Sequence, residues 1–135
     1  MKHPQLVAAA SLSACLAAAA QTPSPTPTPP SFPTEFPDGA RSPTAAEITD
    51  RLAGQTYRTT LANGVAWRME HNRGGYLFVD VSNGARNTAK WHAEDGRACY
   101  EFRLTPVTCS EMRLVGDKLY LKRTSNGEVI ALEKQ

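Results

Sequence analysis

Between residues 60 and 130 the chain is cut at short intervals by dipeptides that reverse a β-strand. Asn63-Gly64, Asn83-Gly84 and Asn126-Gly127 are hairpin dipeptides, Asp95-Gly96 is another, and Gly116-Asp117 suits a turn of the II′ type. Glycine accepts the positive φ such turns demand, and an Asn or Asp side chain closes the turn on its own backbone. A chain punctuated in this way folds as consecutive hairpins, each strand pairing with its neighbour in sequence.

The hydrophobic pattern between the turns has a period of two. Val65, Trp67 and Met69 alternate with Ala66, Arg68 and Glu70, and Leu77, Val79 and Val81 alternate with Tyr76, Phe78 and Asp80. Further strands are expected over Thr56 to Leu61, Asn87 to Ala93, Arg97 to Leu104, Val107 to Val115, Lys118 to Arg123 and Glu128 to Glu133. Ahead of them, Thr44 and Glu47 form a capping box, Ile48 and Leu52 share one helical face, and Gly54 can end the turn, so a single helix is predicted over 45–53. The expected fold is mainly β: a small curved antiparallel meander sheet or barrel of about eight strands, with one short N-terminal helix over a face or an end. Trp67 and Trp91 fall on the core side of their strands.

Of three cysteines, Cys99 and Cys109 lie in this region. In an antiparallel hairpin centred near Leu104 they stand directly opposite each other, with Cα atoms about 4.5–5.5 Å apart, which suits a disulfide. A bridge over so short a loop stabilises by about 2–3 kcal/mol on the chain-entropy estimate. It also requires an oxidising compartment.

The N-terminus supplies the address. Lys2 precedes a short apolar run, Leu6 to Ala14, in the pattern of a secretory signal. Within it Leu12-Ser13-Ala14-Cys15 resembles the lipobox of bacterial lipoproteins. The resemblance implies that Leu12, Ser13 and Ala14 are recognition residues and that Cys15 becomes the acylated N-terminus, anchoring the chain to a membrane through its lipid. Leucine rather than aspartate at position 16 implies the outer membrane, facing the periplasm. The rival is cleavage after Ala18-Ala19-Ala20, which gives a soluble periplasmic or secreted protein. Residues 21–43 follow as a proline-rich linker, expected to be disordered, without strand pairing or helix. Extended at about 3.1 Å per residue, it would lift a domain some 60–70 Å from its attachment. The organisation is thus 1–20 signal, 21–43 linker, 44–135 β domain.

From Leu52 onward, LAGQTYRTTLANG, KWHAEDGRACYEF, a second cysteine, VGDKLYL and a closing NGEVIAL resemble a family of small exported proteobacterial proteins, a domain of unknown function. The interval between Cys99 and Cys109 is short for that family. The shared positions are turns, a tryptophan and two cysteines, so the resemblance implies a fold and no activity.

Chemistry is sparse. The formal net charge is +2, with basic and acidic residues interleaved, so nucleic acid is not an expected partner. No apolar run reaches the roughly 18 residues of a membrane-spanning helix. His71, His92, Glu94 and Asp95 form the best candidate metal constellation, but no HxH or HxxxH spacing puts two imidazoles on one face. They are expected to be solvated turn residues. With no CxxC, nucleophile elbow or selectable pair of carboxylates, no catalytic, metal or cofactor site is expected, and the protein is not expected to be an enzyme. Tyr76 and Phe78, opposite the apolar face of their strand, would form an aromatic contact surface unless the helix or a closing strand covers them. The expected function is non-catalytic: a lipid-anchored envelope protein that binds a protein or cell-wall partner or serves a structural role. The alternative is an inhibitor of an extracellular enzyme such as lysozyme.

If Cys15 is acylated, cells expressing the full chain should incorporate labelled palmitate into it and deliver it to the detergent phase. Cys15→Ser should abolish both, and a mature N-terminus at Gln21 would refute the assignment.

Overall fold

The computed structural model describes residues 18–135; Leu12, Ser13, Ala14 and Cys15 lie outside the described residues. After helix α1 (Ala45–Leu52) come eight strands: β1 (Gln55–Thr60), β2 (Ala66–His71), β3 (Tyr76–Val81), β4 (Arg86–Glu94), β5 (Arg97–Phe102), β6 (Thr108–Val115), β7 (Lys118–Lys122) and β8 (Val129–Lys134). Every strand pairs antiparallel with its neighbours in sequence, and β8 returns to β1, so the meander is a closed barrel. Closure rests on two register pairs, Tyr57 with Lys134 and Arg58 with Glu133.

The three Asn-Gly turns share one device. The side-chain oxygens of Asn63, Asn83 and Asn126 accept hydrogen bonds from the N–H groups of Val65, Ala85 and Glu128, two residues on, at 3.0, 2.9 and 3.1 Å. Strand alternation then sorts the side chains. Tyr57, Met69, Leu77, Val79, Ala89, Trp91, Ala98, Tyr100, Met112, Leu114, Leu119, Leu121, Ile130 and Leu132 are buried and join one core. Trp67 is partly buried against it.

Helix α1 plugs one end of the barrel. The capping box is formed as expected, with Glu47 N–H donating to Thr44 Oγ1 at 3.2 Å and Thr44 N–H to the Glu47 carboxylate at 2.9 Å. Ile48 and Leu52 are fully buried under it. Two contacts from the barrel hold the helix: Ala45 N–H donates to Asp95 Oδ1 at 2.8 Å, and Tyr57 Oη–H to the Arg51 carbonyl at 2.7 Å. Asp95 is therefore a tertiary cap as well as a turn residue. Its partner Gly96 is required there, since at φ 74° a Cβ would stand 2.6 Å from Ser42 Oγ.

Cys99 and Cys109 face each other in register across the β5–β6 hairpin and are bonded. Their Cα atoms are 3.9 Å apart, closer than the sequence suggested. The loop it closes carries Leu104 at its tip, 96% exposed and at φ 67°.

The linker departs from expectation. Its last residues lie along the barrel: Val129 N–H donates to the Pro33 carbonyl at 2.8 Å, Gly96 N–H to the Pro43 carbonyl at 2.8 Å, and Arg41 forms a β-bridge with Leu114. Phe36 lies under the guanidinium of Arg113, and Pro43 is fully buried. Proline lacks a donor but keeps its carbonyl, so a proline-rich strip can still accept from a sheet, and Arg41 supplies the N–H that the prolines do not. The folded unit thus begins near residue 33, not 44.

Leu52→Ala removes the deepest contact of the plug and should lower the unfolding free energy by about 2–5 kcal/mol in urea titrations. Asp95→Ala should cost about 1 kcal/mol, as loss of a helix cap does.

Candidate functional site

Inward-facing side chains fill the barrel unevenly. At the helix end they are mostly apolar, with Trp91, Leu114, Leu119 and Leu132 buried beside Ala98 and the imidazole of His71. At the far end, where the 61–65, 82–85, 103–107 and 123–128 connections cluster, the inward positions of several strands carry Asn87, Thr108, Ser110 and Arg123. Between these rims lies a cavity of about 200 Å³, walled by Trp67, Met69, Leu77, Val79, Leu121 and the aromatic rings of Tyr100 and Phe102. Liquid water occupies about 30 Å³ per molecule, so the space equals roughly seven waters or one small organic group. An eight-stranded barrel has an interior just wide enough for side chains or a single small ligand, and here both occur at different depths.

The mouth is held by one ion pair. Arg123 donates to Glu128 Oε2 at 2.7 Å, while Glu128 Oε1 accepts from Ala62 N–H at 2.7 Å, tying the β1–β2 connection to β8. Burial pushes the Glu128 carboxyl up, but the Ala62 N–H and the Arg123 guanidinium outweigh it and hold the group below its ordinary range. Arg123 also stacks 5.0 Å over the Trp67 ring, so it braces the aromatic at the entrance.

Beneath the cavity the core contains a polar pair. His71, expected in a solvated turn, is instead fully buried. β2 extends one residue further than anticipated and keeps the parity of Trp67 and Met69, which carries His71 inward. Its Nε2 lies 3.2 Å from Tyr100 Oη, and Trp91 meets the ring edge-on with centroids 5.3 Å apart. Nδ1 has no hydrogen-bond partner among the described residues. Burial pushes the His71 pKa down to about 4 and the Tyr100 hydroxyl up, so both groups are neutral near pH 7.

The four residues of the suspected metal constellation separate accordingly. His71 lies inside the barrel and Asp95 caps the helix. His92 and Glu94 remain together on the outer surface, with Nε2 3.2 Å from Glu94 Oε1. Tyr76 and Phe78 are 44% and 41% exposed on the outside of β3, uncovered by helix or closing strand. The cavity, Arg123 and Glu128 are not among the site residues expected from the sequence. A usable signal was present: polar residues at Thr108, Ser110 and Arg123 share the parity of Met112, Leu114, Leu119 and Leu121, which marks one end of the barrel interior as open.

No protein family, curated protein or solved structure matches the chain.

The buried neutral imidazole gives a pH test. Its folded pKa lies below the unfolded value of 6.5, so the unfolded state binds the extra proton first and stability falls as pH drops from about 6.5 toward 4. Unfolding free energy should decrease by about 2 kcal/mol between pH 7 and pH 5 from this group alone. His71→Leu should remove that component in urea titrations at the two pH values.

Proposed function

We propose that the protein is an exported, lipid-tethered envelope protein with a non-catalytic binding role, and that its barrel receives a small apolar group at the mouth opposite the helix. The observation that carries the proposal is the cavity of about 200 Å³, apolar in its walls and polar at its rim, in a barrel whose other end is plugged. A pocket of that kind recognises shape and hydrophobic surface, with a few polar groups to orient the guest. Because Arg123 is neutralised by Glu128, the mouth carries no free charge from this pair, which favours an uncharged ligand. The lipobox and the proline-rich segment support attachment at the membrane, where apolar molecules are plentiful. The exposed Tyr76 and Phe78 offer a second, outward surface for contact with a protein or cell-wall partner.

The neutral dye N-phenyl-1-naphthylamine should gain fluorescence on titration with the secreted Cys15→Ser form. Ser110→Phe, which fills the cavity from β6, should weaken that binding at least tenfold with its far-ultraviolet circular dichroism unchanged. No enhancement with the parent, or equal enhancement with both, would refute the pocket.

A further inference from the structure

On the outward-facing side of the barrel wall, away from the cavity, three neighbouring strands align their chemistry in a single row, whose central member, Cys99, is fully buried. His92 of β4 is the register partner of Cys99 of β5, and Cys99 is the register partner of Cys109 of β6. Glu94 stands on the same side of β4, two residues along. One ligand atom each from His92, Glu94 and Cys99 lie within 4.8 Å of one another, and His92 Nε2 is 3.2 Å from Glu94 Oε1. Cys109 Sγ lies outside that cluster but is bonded to Cys99 Sγ, which makes it the next donor along the row. Two sulfurs, an imidazole and a carboxylate are a zinc-type donor set, and ligand atoms around a tetrahedral zinc sit roughly 3.5 Å apart for the usual bond lengths. While the disulfide is intact its sulfurs are poor ligands; the thiolate is the species that binds metal.

We propose that Cys99, Cys109, His92 and Glu94 form a redox-gated zinc site, closed in the disulfide state and opened by reduction. A dithiol reductant delivers two electrons and two protons to the Cys99–Cys109 bond, breaking it into two thiols and leaving the reductant as its own disulfide. Zinc then binds both sulfurs as thiolates, and the two protons leave to solvent. The Glu94 carboxylate is already divided for the role: Oε1 faces His92, while Oε2 is held by the Arg97 guanidinium. Arg97 is thus a positioning residue that fixes the carboxylate without occupying the ligating oxygen. Glu94 and Cys109 line one open hollow at the surface and the His92 side chain is exposed, while Cys99 is fully buried. The β4–β5 register holds His92 opposite Cys99, and the β5–β6 register, which continues through Ala98 with Ser110 and Arg97 with Glu111, holds Cys109 opposite it.

The test uses the secreted Cys15→Ser form, oxidised or reduced with a phosphine, titrated with Co²⁺ as a spectroscopic probe and then with Zn²⁺ in competition. The reduced protein should bind one cobalt per chain with a thiolate-to-cobalt charge-transfer band that zinc displaces, and the oxidised protein should show no such band. His92→Ala should weaken binding at least tenfold, and Cys109→Ser should greatly diminish the band. Binding of equal strength in a His92→Ala, Glu94→Gln double variant would overturn the site, leaving only a loose thiol pair. So would a reduced protein that binds no cobalt, or one whose near-ultraviolet circular dichroism is lost on reduction and not restored by zinc.

Discussion

The pairing of β8 with β1 sustains the rest of the architecture. Without the rungs at Tyr57 with Lys134 and Arg58 with Glu133, the eight strands would be a curled ribbon with two open edges, each a template for another chain. With them there is an inside. Inward parity then acquires a meaning it lacks in an open sheet, because each inward side chain must share a space that other strands have also filled. The helix, the cavity and the buried His71 and Tyr100 pair are all consequences of having a lumen with two ends.

Those ends are treated differently. At one, Ile48 and Leu52 supply enough apolar volume to close the lumen, and Asp95 and Tyr57 satisfy polar groups that the helix termini would otherwise leave unpaired. At the other, closure comes from a single bonded pair, Arg123 with Glu128, which joins loops but adds no bulk. Breaking such a partly buried pair on one side strands a charge, so the mouth is at once open and rigid in outline. The asymmetry makes one end a floor and the other a doorway.

Much of this was legible in the chain. The Asn-Gly dipeptides fix strand boundaries because their local hydrogen bonds do not depend on distant residues, and the ten-residue separation of Cys99 and Cys109 sets the hairpin register by arithmetic. Closure was only one of two expected outcomes, since contacts between Tyr57 and Lys134 span nearly the whole domain and leave no local trace. His71 was misplaced for a related reason: beside Asn72-Arg73-Gly74-Gly75 it looks like a turn residue, and only the lengthening of β2 by one residue turns it inward. Arg123 and Glu128 were passed over because charged residues at strand ends are ordinarily solvated, and it takes the lumen to bring them together. The proline-rich strip reads as a free linker because proline lacks a donor, yet the carbonyls of Pro33 and Pro43 still bind the barrel.

That strip also has a direction. It meets the barrel at Pro33, beside the start of β8 on the doorway side, and runs along the outer wall to Pro43 at the helix end. The polypeptide leading to the N-terminus therefore departs from the rim of the cavity and not from the plugged end. If the chain is anchored at Cys15 as proposed, the tether and the opening meet at the same pole of the barrel.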